Sequence, residues 1–360
     1  MNDRLRLEPY LELAMDKGAS DLYFTTHAPV MMRVEGQLHP LRAAEAATLT
    51  PTVLEQLVHD TLTEEQREVF AAERELDFAF RYGMRGRFRA NVFRQRGSAA
   101  MVLRNIGHVP TLAEFEMPDV LARLAMQKRG LVLVVGATGA GKSTTLAAML
   151  NHRNESSSNH ILTIEDPVEF MFRHKRSIVN QREIGTDTNS FARALRSAIR
   201  EAPDVVQIGE VRDHETADAC LQLANTGHLA MATMHASNTY QCLQRLTSLF
   251  PESARTAMYM DLSLNLRAIV CQRLVATPDG KRTAAYEILL NTPHIADLIL
   301  NGRLDAVAEA LSVADGADGA ISFDNALIGL VQAGRISAEE AQAHADSPDN
   351  LHSRMMFDQR

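Results

Sequence analysis

Short apolar runs recur along the chain after residue 130, and helical segments separate them. The runs are rich in valine, isoleucine and leucine, and each is short enough for a buried strand. Strands that alternate with helices predict a mostly parallel α/β sheet whose ligands bind at the carboxyl ends of the strands. The predicted strands are Leu131–Val135, His160–Ile164, Val205–Ile208, Leu229–Thr233 and Ile269–Val275.

The first hundred residues have a different pattern, with strand-like runs that follow one another without intervening helices. We predict a small α+β domain with a mixed antiparallel sheet and flanking helices. It has a predicted helix near Leu5–Asp16 and a predicted helical stretch at Pro51–Phe70. Its predicted strands are Asp21–Thr25, Val30–Val34 (turning through Glu35), Leu76–Tyr82, Gly86–Arg94 and Ala99–Asn105.

A length of 360 residues suits two domains, each with its own core. A turn containing Gly107 and Pro110 predicts the boundary. We therefore expect a first domain over 1–107, a linker over 108–112, an α/β core over 113–292 and a helical segment over 293–346. The polar stretch 347–360 is expected to be a flexible tail.

Composition narrows the class of protein. The chain is 46% hydrophobic and 23% charged, and it has no apolar run of the roughly 20 residues that span a bilayer. The N-terminus has acidic residues and Pro9 where a secretory leader has a cationic region and an apolar core. We therefore expect a cytoplasmic protein that touches a membrane only peripherally.

Cysteine spacing and net charge weigh against two further classes of protein. Cys220, Cys242 and Cys271 lie far apart, which favours three small core residues over a zinc site or a disulfide framework. A net charge of −8 weighs against a protein that binds nucleic acid through bulk electrostatics. We therefore expect no nucleic-acid partner.

The strongest motif is Gly136-Ala-Thr-Gly-Ala-Gly-Lys142-Ser143, which fits the phosphate-binding pattern Gly-x4-Gly-Lys-Ser/Thr between a predicted strand and a predicted helix. Backbone N–H groups of such a loop cradle phosphates, the lysine reaches the β and γ phosphates, and the serine ligates Mg²⁺. The predicted ATP-binding residues are Gly136, Ala137, Thr138, Gly139, Ala140, Gly141, Lys142, Ser143 and Thr144.

Two acidic segments follow predicted strands. Glu165 comes directly after His160–Ile164, where it could hold Mg²⁺ through water, although an acidic residue before Asp166-Pro167 is also typical of a simple turn. Glu210 follows Val205–Ile208 and is the candidate that orients the attacking water, with a helix-capping role as the alternative. We expect Ser143, Glu165 and Glu210 to hold Mg²⁺, mostly through water.

Two histidines, His228 and His235, flank the predicted strand Leu229–Thr233. Their separation of seven residues turns them to opposite faces of an ideal strand and is not a usual metal spacing. We interpret them as sensors of the γ phosphate, with loop or core histidines as the alternative.

Six arginines lie within twenty residues of the first domain. Arg87 and Arg89 share one face of a predicted strand, which fits a solvated basic face. The functional alternative is a set of arginine fingers, because guanidinium groups match phosphate geometry and stabilise transferring charge. The cluster consists of Arg85, Arg87, Arg89, Arg94, Arg96 and Arg104.

Together these motifs resemble those of the secretion ATPase superfamily, and specifically of the type IV pilus retraction ATPases. The ordered motifs are the phosphate loop, Ile164–Glu169, Ile208–Asp213 and Thr226–His235, and the similarity extends into both ends of the chain. The resemblance implies a PAS-like N-terminal domain and a RecA-like P-loop ATPase domain in a homo-hexamer. It also implies a nucleotide between the two domains with the arginines facing it, Glu210 as catalytic glutamate, and His228 and His235 as a histidine box.

Within that family the chain resembles the accessory PilU type more than the principal PilT type. Segments 263–270, 272–280 and 289–293 carry this likeness, and Ala296–Arg303 replaces a PilT-type motif. The extension and secretion members commonly carry an extra N-terminal domain and a four-cysteine zinc element, and their absence from this sequence favours retraction.

The resulting hypothesis is a hexameric ATPase motor that uses ATP and Mg²⁺ to retract type IV pili. Its expected partners are a platform protein of the inner membrane and a PilT-type partner motor. One alternative is a principal motor of the PilT type. Another is a ring scaffold that binds ATP and couples a partner motor with little turnover of its own, and a third is a nucleic-acid translocase, against which the net charge weighs.

Overall fold

A computed structural model of the chain describes residues 7–34, 36–41, 48–83, 86–314, 316 and 318–357. The chain divides into two compact units. The first is Met1–His108 with Glu169–Met171, and the second is Val109–Val168 with Phe172–Arg360. The division after His108 falls within the predicted linker at 108–112, whose role as a linker stays a prediction.

The first unit is an antiparallel sheet with helices. Its strand order is β3-β2-β1-β6-β5-β4, and every neighbouring pair is antiparallel. The strands are β1 Asp21–Phe24, β2 Met31–Val34, β3 Gln37–Pro40, β4 Glu75–Tyr82, β5 Gly86–Gln95 and β6 Ser98–Ile106. The helices are α1 Glu8–Asp16, α2 Pro51–Thr61 and α3 Glu64–Glu73.

Alternation along β5 defines the two faces of this sheet. Phe88, Ala90 and Val92 are fully buried and share a core with residues of the helices, whereas Arg87 and Arg89 lie on the other face. Side chains of a strand point alternately to opposite faces, so a residue's parity in β5 decides whether it faces the core.

The helical stretch predicted over Pro51–Phe70 consists of two helices, α2 and α3. Leu62 is extended, and Thr63 begins α3 with a reciprocal cap, accepting from the Gln66 amide at 3.3 Å and donating its own amide to Gln66 Oε1 at 3.0 Å. Strand β3 was not predicted. Leu5, with which the first predicted helix begins, and Glu35 of the predicted turn lie outside the described residues.

The second unit contains a seven-stranded sheet and the remaining helices. Its strands are β7 Gly130–Val135, β8 His160–Glu165, β9 Ile178–Glu183, β10 Val205–Ile208, β11 Leu229–Met234, β12 Leu266–Ala276 and β13 Arg282–Leu290. Its helices are α4 Asp119–Ala125, α5 Lys142–Ser156, α6 Phe191–Ala198, α7 His214–Asn225, α8 Thr239–Leu249, the 3₁₀ turn Glu252–Ala254, α9 Arg255–Asn265, α10 Pro293–Leu300, α11 Leu304–Ser312, α12 Phe323–Gln332, α13 Ala338–His344 and α14 Pro348–Phe357.

The strand order β13-β12-β7-β11-β10-β8-β9 places the strand of the phosphate loop near the middle of the sheet. All neighbouring pairs are parallel except β12 with β13. Leu131 and Leu133 pack into the core on one face, and Val132 and Val134 pack into the core on the other. Both faces are therefore covered, as parallel sheets require.

Strands β9 and β13 were not predicted. In β9 the polar residues Asn180 to Arg182 interrupt the apolar pattern, and the strand lies at a sheet edge. The polar stretch expected as a flexible tail instead contains α14, and Leu351 of that helix is fully buried in the core. Among the described residues, none of the helices combines the length and the apolar character of a bilayer span.

Candidate functional site

The phosphate loop connects the buried strand β7 to the first turn of α5. Gly136, Gly139 and Gly141 have φ values of 154°, 78° and 87°, a region in which side chains other than glycine are strained. A Cβ on Gly136 would lie 2.7 Å from the carbonyl oxygen of Gln272 on the neighbouring strand β12. These glycines leave the backbone N–H groups at the start of α5 pointing at a site for an anion.

Lys142 is the first residue of α5, and its ammonium group bends back over the loop. Its Nζ donates to the carbonyl oxygens of Gly136 at 2.9 Å and Ala137 at 3.0 Å. The same Nζ lies 3.5 Å from Nδ1 of His235. The lysine therefore lies inside the loop and next to the end of a neighbouring strand.

Glu210 and His235 come together because their strands are neighbours. Strand β11 lies between β7 and β10, and parallel strands end at the same edge of a sheet. The loop after β10 is fixed by backbone hydrogen bonds, from the Gly209 amide to the carbonyl of Ile164 and from the Val211 amide to the carbonyl of Thr233. This edge therefore places Glu210 beside the phosphate loop.

The Glu210 carboxylate is held from two sides. Its Oε1 lies 3.1 Å from Nε2 of His235, and its Oε2 lies 2.6 Å from the guanidinium of Arg212. Burial acts to raise the pKa of Glu210, but Arg212, His235 and Lys142 together outweigh it and lower that pKa below its usual value. Glu210 is therefore an anion at neutral pH and can accept a hydrogen bond from water.

Cavities open on both sides of the phosphate loop. One, of about 720 Å³, is lined by Gly136, Ala137, Arg212 and His235 together with residues of α8. The other, of about 490 Å³, is lined by Gly141 and Thr144, by residues of the β12–β13 hairpin and by the 114–117 turn. His235 lines the first cavity, and its ring contacts Glu210.

One buried polar group below the loop was not predicted from the sequence. The Thr145 hydroxyl donates to Oε1 of Gln272 at 2.7 Å, and Tyr286 pairs with Gln272 across the hairpin. All three residues are less than a tenth exposed. A Cβ on Gly141 would lie 2.7 Å from Nε2 of Gln272, so this amide packs directly on the loop. The available signal was a glutamine within an apolar strand, since a buried amide needs partners.

Glu165 ends β8 and is 6% exposed. Its Oε1 accepts hydrogen bonds from the Thr163 hydroxyl at 2.6 Å and from the Gln181 amide at 3.2 Å. These contacts come from the sheet itself and fix the carboxylate at the carboxyl edge. The predicted role of Glu165 toward the metal or its water stays a prediction.

His228 lies at the opposite end of β11 from His235. Its Nδ1 is 3.0 Å from the Thr226 hydroxyl and 3.2 Å from the carbonyl oxygen of Leu223, at the end of α7. A six-residue strand of roughly 20 Å separates it from the phosphate loop that follows β7. The two predicted sensors are therefore not brought together, and only His235 lies beside the loop of its own chain.

The five described arginines do not share one surface. Arg87, Arg89 and Arg104 lie on the same face of the antiparallel sheet, with Arg89 paired to Arg104 across the strands. Arg89 is 3.9 Å from Asp77, Arg104 donates to Asp21 at 2.9 Å, and Arg87 donates to the sulfur of Met171 at 3.5 Å.

Arg94 has the opposite parity and lies over the ring of Phe70 at 5.1 Å, paired with Glu55. Arg96 is in the β5–β6 turn with φ 48°. The geometry therefore does not bring all five arginines together. Arg87, Arg89 and Arg104 share one face of the sheet, and Arg94 and Arg96 do not belong to that set. Arg85 lies outside the described residues.

The donor groups at the loop fit a magnesium ion held jointly with a nucleotide. Mg²⁺ prefers oxygen ligands and usually takes one or two from the protein with phosphate oxygens and water. Ser143 supplies a hydroxyl and Glu210 an ionised carboxylate. In the described part of the chain no group of three or more His, Cys, Asp or Glu side chains could hold a metal by itself.

The parallel sheet and its phosphate loop define the chain as a P-loop ATPase of RecA-like α/β fold, preceded by an α+β unit. Residues 4–322 match the family model described as type II/IV secretion system protein. The chain belongs to this family of secretion ATPases, and the fold class predicted from its sequence is confirmed.

Individual relatives cover nearly the whole chain. The type IV pilus ATPase PilU of Pseudomonas aeruginosa is 46% identical over 96% of this chain and 90% of its own. The retraction ATPase PilT of the same organism is 40% identical over 95% and 98%. A crystal structure of the pilus retraction motor PilT with bound ADP is 38% identical, covers 97% of this chain and 99% of its own, and has a TM-score of 0.89.

Proposed function

We propose that this chain is the subunit of an ATP-driven motor that retracts type IV pili, of the accessory PilU type. Its identity to PilU of P. aeruginosa, 46%, exceeds its identity to PilT of the same organism, 40%. The observation that carries the catalytic part of the proposal is the contact of Glu210 with His235, which in turn adjoins Lys142.

Hydrolysis requires an oriented water and stabilised phosphate charge more than a strong base. The N–H groups of the loop bind the phosphates, and Lys142 exchanges its contacts with Gly136 and Ala137 for the β and γ phosphates. Glu210 accepts a hydrogen bond from the attacking water, and His235 contacts the γ phosphate. Mg²⁺, held by Ser143 and by Glu210 or Glu165 through water, neutralises phosphate charge when bound.

Motion is transmitted by a homo-hexameric ring, which acts in the cytoplasm on a platform protein of the inner membrane at the pilus base. Arg87, Arg89 and Arg104 are the arginines proposed to contact nucleotide phosphates, since they share one face of their sheet. Guanidinium groups stabilise the charge of a transferring phosphoryl group. A PilT-type motor is the proposed partner ring.

Lys142→Ala tests the proposed activity. Turnover of ATP should be abolished while the thermal unfolding of the protein stays near that of wild type. Lys175→Ala is the matched control. Nζ of Lys175 contacts Asn151 at 2.9 Å, and Asn151 lies in a later turn of α5, the helix that begins with Lys142. Undiminished hydrolysis by pure, folded Lys142→Ala protein contradicts the proposal.

Testing whether the chain is an accessory motor requires experiments in cells. Deleting this gene alone should leave retraction under low load and impair it under high load, and deletion of a second retraction ATPase should then abolish retraction. If loss of this gene alone abolishes all retraction, the chain is a principal motor. If cells that carry the Glu210→Gln variant and an active partner motor retract pili as well as wild-type cells, the chain is a scaffold.

A further inference from the structure

The residues that follow His235 are fixed by side chains of one hairpin. We call residues 235–239 the His235 segment. The carbonyl of Ala236 faces Sγ of Cys271 at 3.7 Å, and the amide of Thr239 donates to Oε1 of the buried Glu287 at 2.6 Å. Cys271 and Glu287 pair across β12 and β13.

Arg273 makes the central contact with this segment. Its guanidinium donates to the carbonyl oxygen of Ser237 at 2.8 Å, two residues after His235. The side chain is 22% exposed, so water competes weakly for these hydrogen bonds. No other arginine in the described part of the chain is bonded to the His235 segment in this way.

The same guanidinium reaches the helices at the C-terminal end of the chain. It donates to the carbonyl oxygen of His344 at 2.6 Å and to the carboxylate of Asp346 at 2.6 Å. It also stacks on the ring of Phe323 in α12, with 3.8 Å between the guanidinium carbon and the ring centroid. One planar group thus joins the His235 segment to α12 and to the segment after α13.

The position of His235 matters because it contacts both Lys142 and Glu210. A displacement of about 1 Å in a catalytic group can cost roughly 100-fold in rate. His235 lies after the end of β11, where the ladder of strand hydrogen bonds has ended, so the contacts of the His235 segment position its ring.

We propose that Arg273 is a positioning residue for His235, and that through it the C-terminal helices set the geometry of the ATPase site. The proposal rests on the proposed role of His235 in ATP turnover. Arg273 itself need not contact nucleotide. Its effect is on the alignment of His235 with Glu210, and so on the rate of hydrolysis more than on the affinity for ATP.

The first test is Arg273→Lys, which keeps the positive charge but loses the planar set of donors. We expect kcat for ATP to fall about tenfold with KM within about twofold of wild type. Arg267→Lys is the matched control, because Arg267 lies on the same strand and donates to the carbonyl of Arg129 at 3.0 Å, at the opposite end of the sheet. A lysine there should leave kcat unchanged.

A double variant separates positioning from general destabilisation. If Arg273 acts through His235, then Arg273→Lys should have no further effect on kcat in the His235→Ala background. Additive losses, or a fall of kcat in proportion to a lower melting temperature, overturn the proposal. If His235→Ala alone leaves kcat unchanged, the proposed role of His235 fails, and that outcome is distinct from additivity.

Asp346→Asn tests the link to the C-terminal end without touching the guanidinium. It removes the charge that holds one Arg273 nitrogen, while the carbonyls of Ser237 and His344 remain. We expect a smaller loss of kcat, about two- to fivefold, again with KM unchanged and again absent in the His235→Ala background. An unchanged kcat in folded Asp346→Asn protein overturns the proposed link.

Discussion

Nε2 of His235 lies 3.1 Å from Oε1 of Glu210, and its other ring nitrogen lies 3.5 Å from Nζ of Lys142. Because the carboxylate of Glu210 can only accept, Nε2 carries the proton that His235 donates to it. The imidazole thus connects the lysine of the phosphate loop to the carboxylate that is proposed to orient the attacking water.

Two substitutions of His235 test this connection. Glutamine can place an amide N–H near the position of Nε2 and so can still donate to Glu210, whereas alanine cannot. We expect kcat to fall about 100-fold in His235→Ala and about tenfold in His235→Gln, measured by phosphate release at saturating ATP. Equal losses in the two variants contradict a role for the Nε2 hydrogen bond.

His228→Ala is the control on the same strand. Its ring contacts Thr226 and the carbonyl of Leu223 at the far end of β11, so its loss should change turnover at the loop of its own chain by less than about twofold. A loss as large as that of His235→Ala would show that His228 acts on the reaction by a route outside its own loop.

The pH dependence of hydrolysis should change in Arg212→Ala. Arg212 is one of the groups that lower the pKa of Glu210 against the opposing effect of burial. Its removal therefore raises the pKa of Glu210, and the carboxylate becomes protonated at higher pH. Because only the anion accepts from the attacking water, the acid limb of kcat against pH should shift to higher pH.

Arg245→Ala is the matched control for that measurement. Arg245 lines the same cavity as Arg212 but is not among the groups that shift the pKa of Glu210. Its pH profile should match that of wild type. A shift of the acid limb in Arg245→Ala, or none in Arg212→Ala, is incompatible with the assignment of this limb to Glu210.

The parallel strands and the phosphate loop were predictable from the sequence because both depend on local patterns. Strands β9 and β13 were not, since Asn180 and its neighbours conceal an edge strand and the pairing of β13 is set by β12. The separation of His228 from His235 follows from counting residues along β11. The hydrogen bond of Gln272 could not be predicted from the sequence, because its partner Thr145 is 127 residues away along the chain.

Gln272→Glu tests whether that amide adjoins bound phosphate. At neutral pH the variant places a carboxylate against Gly141 and should weaken ATP binding about tenfold through repulsion of the phosphates. At lower pH the new carboxyl group becomes neutral, and affinity should return toward that of wild type measured at the same pH. Titration of a fluorescent ATP analogue at several pH values measures this, and a pH-independent loss of affinity would indicate only a packing defect.

Arg94 and Arg104 should differ in what their loss changes, because they lie on opposite faces of one sheet. Arg94→Ala loses the pair with Glu55 and the stacking on Phe70, which should destabilise the protein by about 1 kcal/mol and leave turnover near wild type.

Arg104→Ala should have the converse effect. Asp21 keeps Arg33 at 3.9 Å and the Ser20 hydroxyl at 2.9 Å, so little stability is lost. Turnover of the assembled protein should fall about tenfold or more if Arg104 contacts nucleotide phosphates. Melting curves and ATPase rates of both variants, measured on the same oligomer fraction, compare the two effects directly. Loss of turnover in Arg94→Ala with none in Arg104→Ala would assign the phosphate contacts to the other face of the sheet.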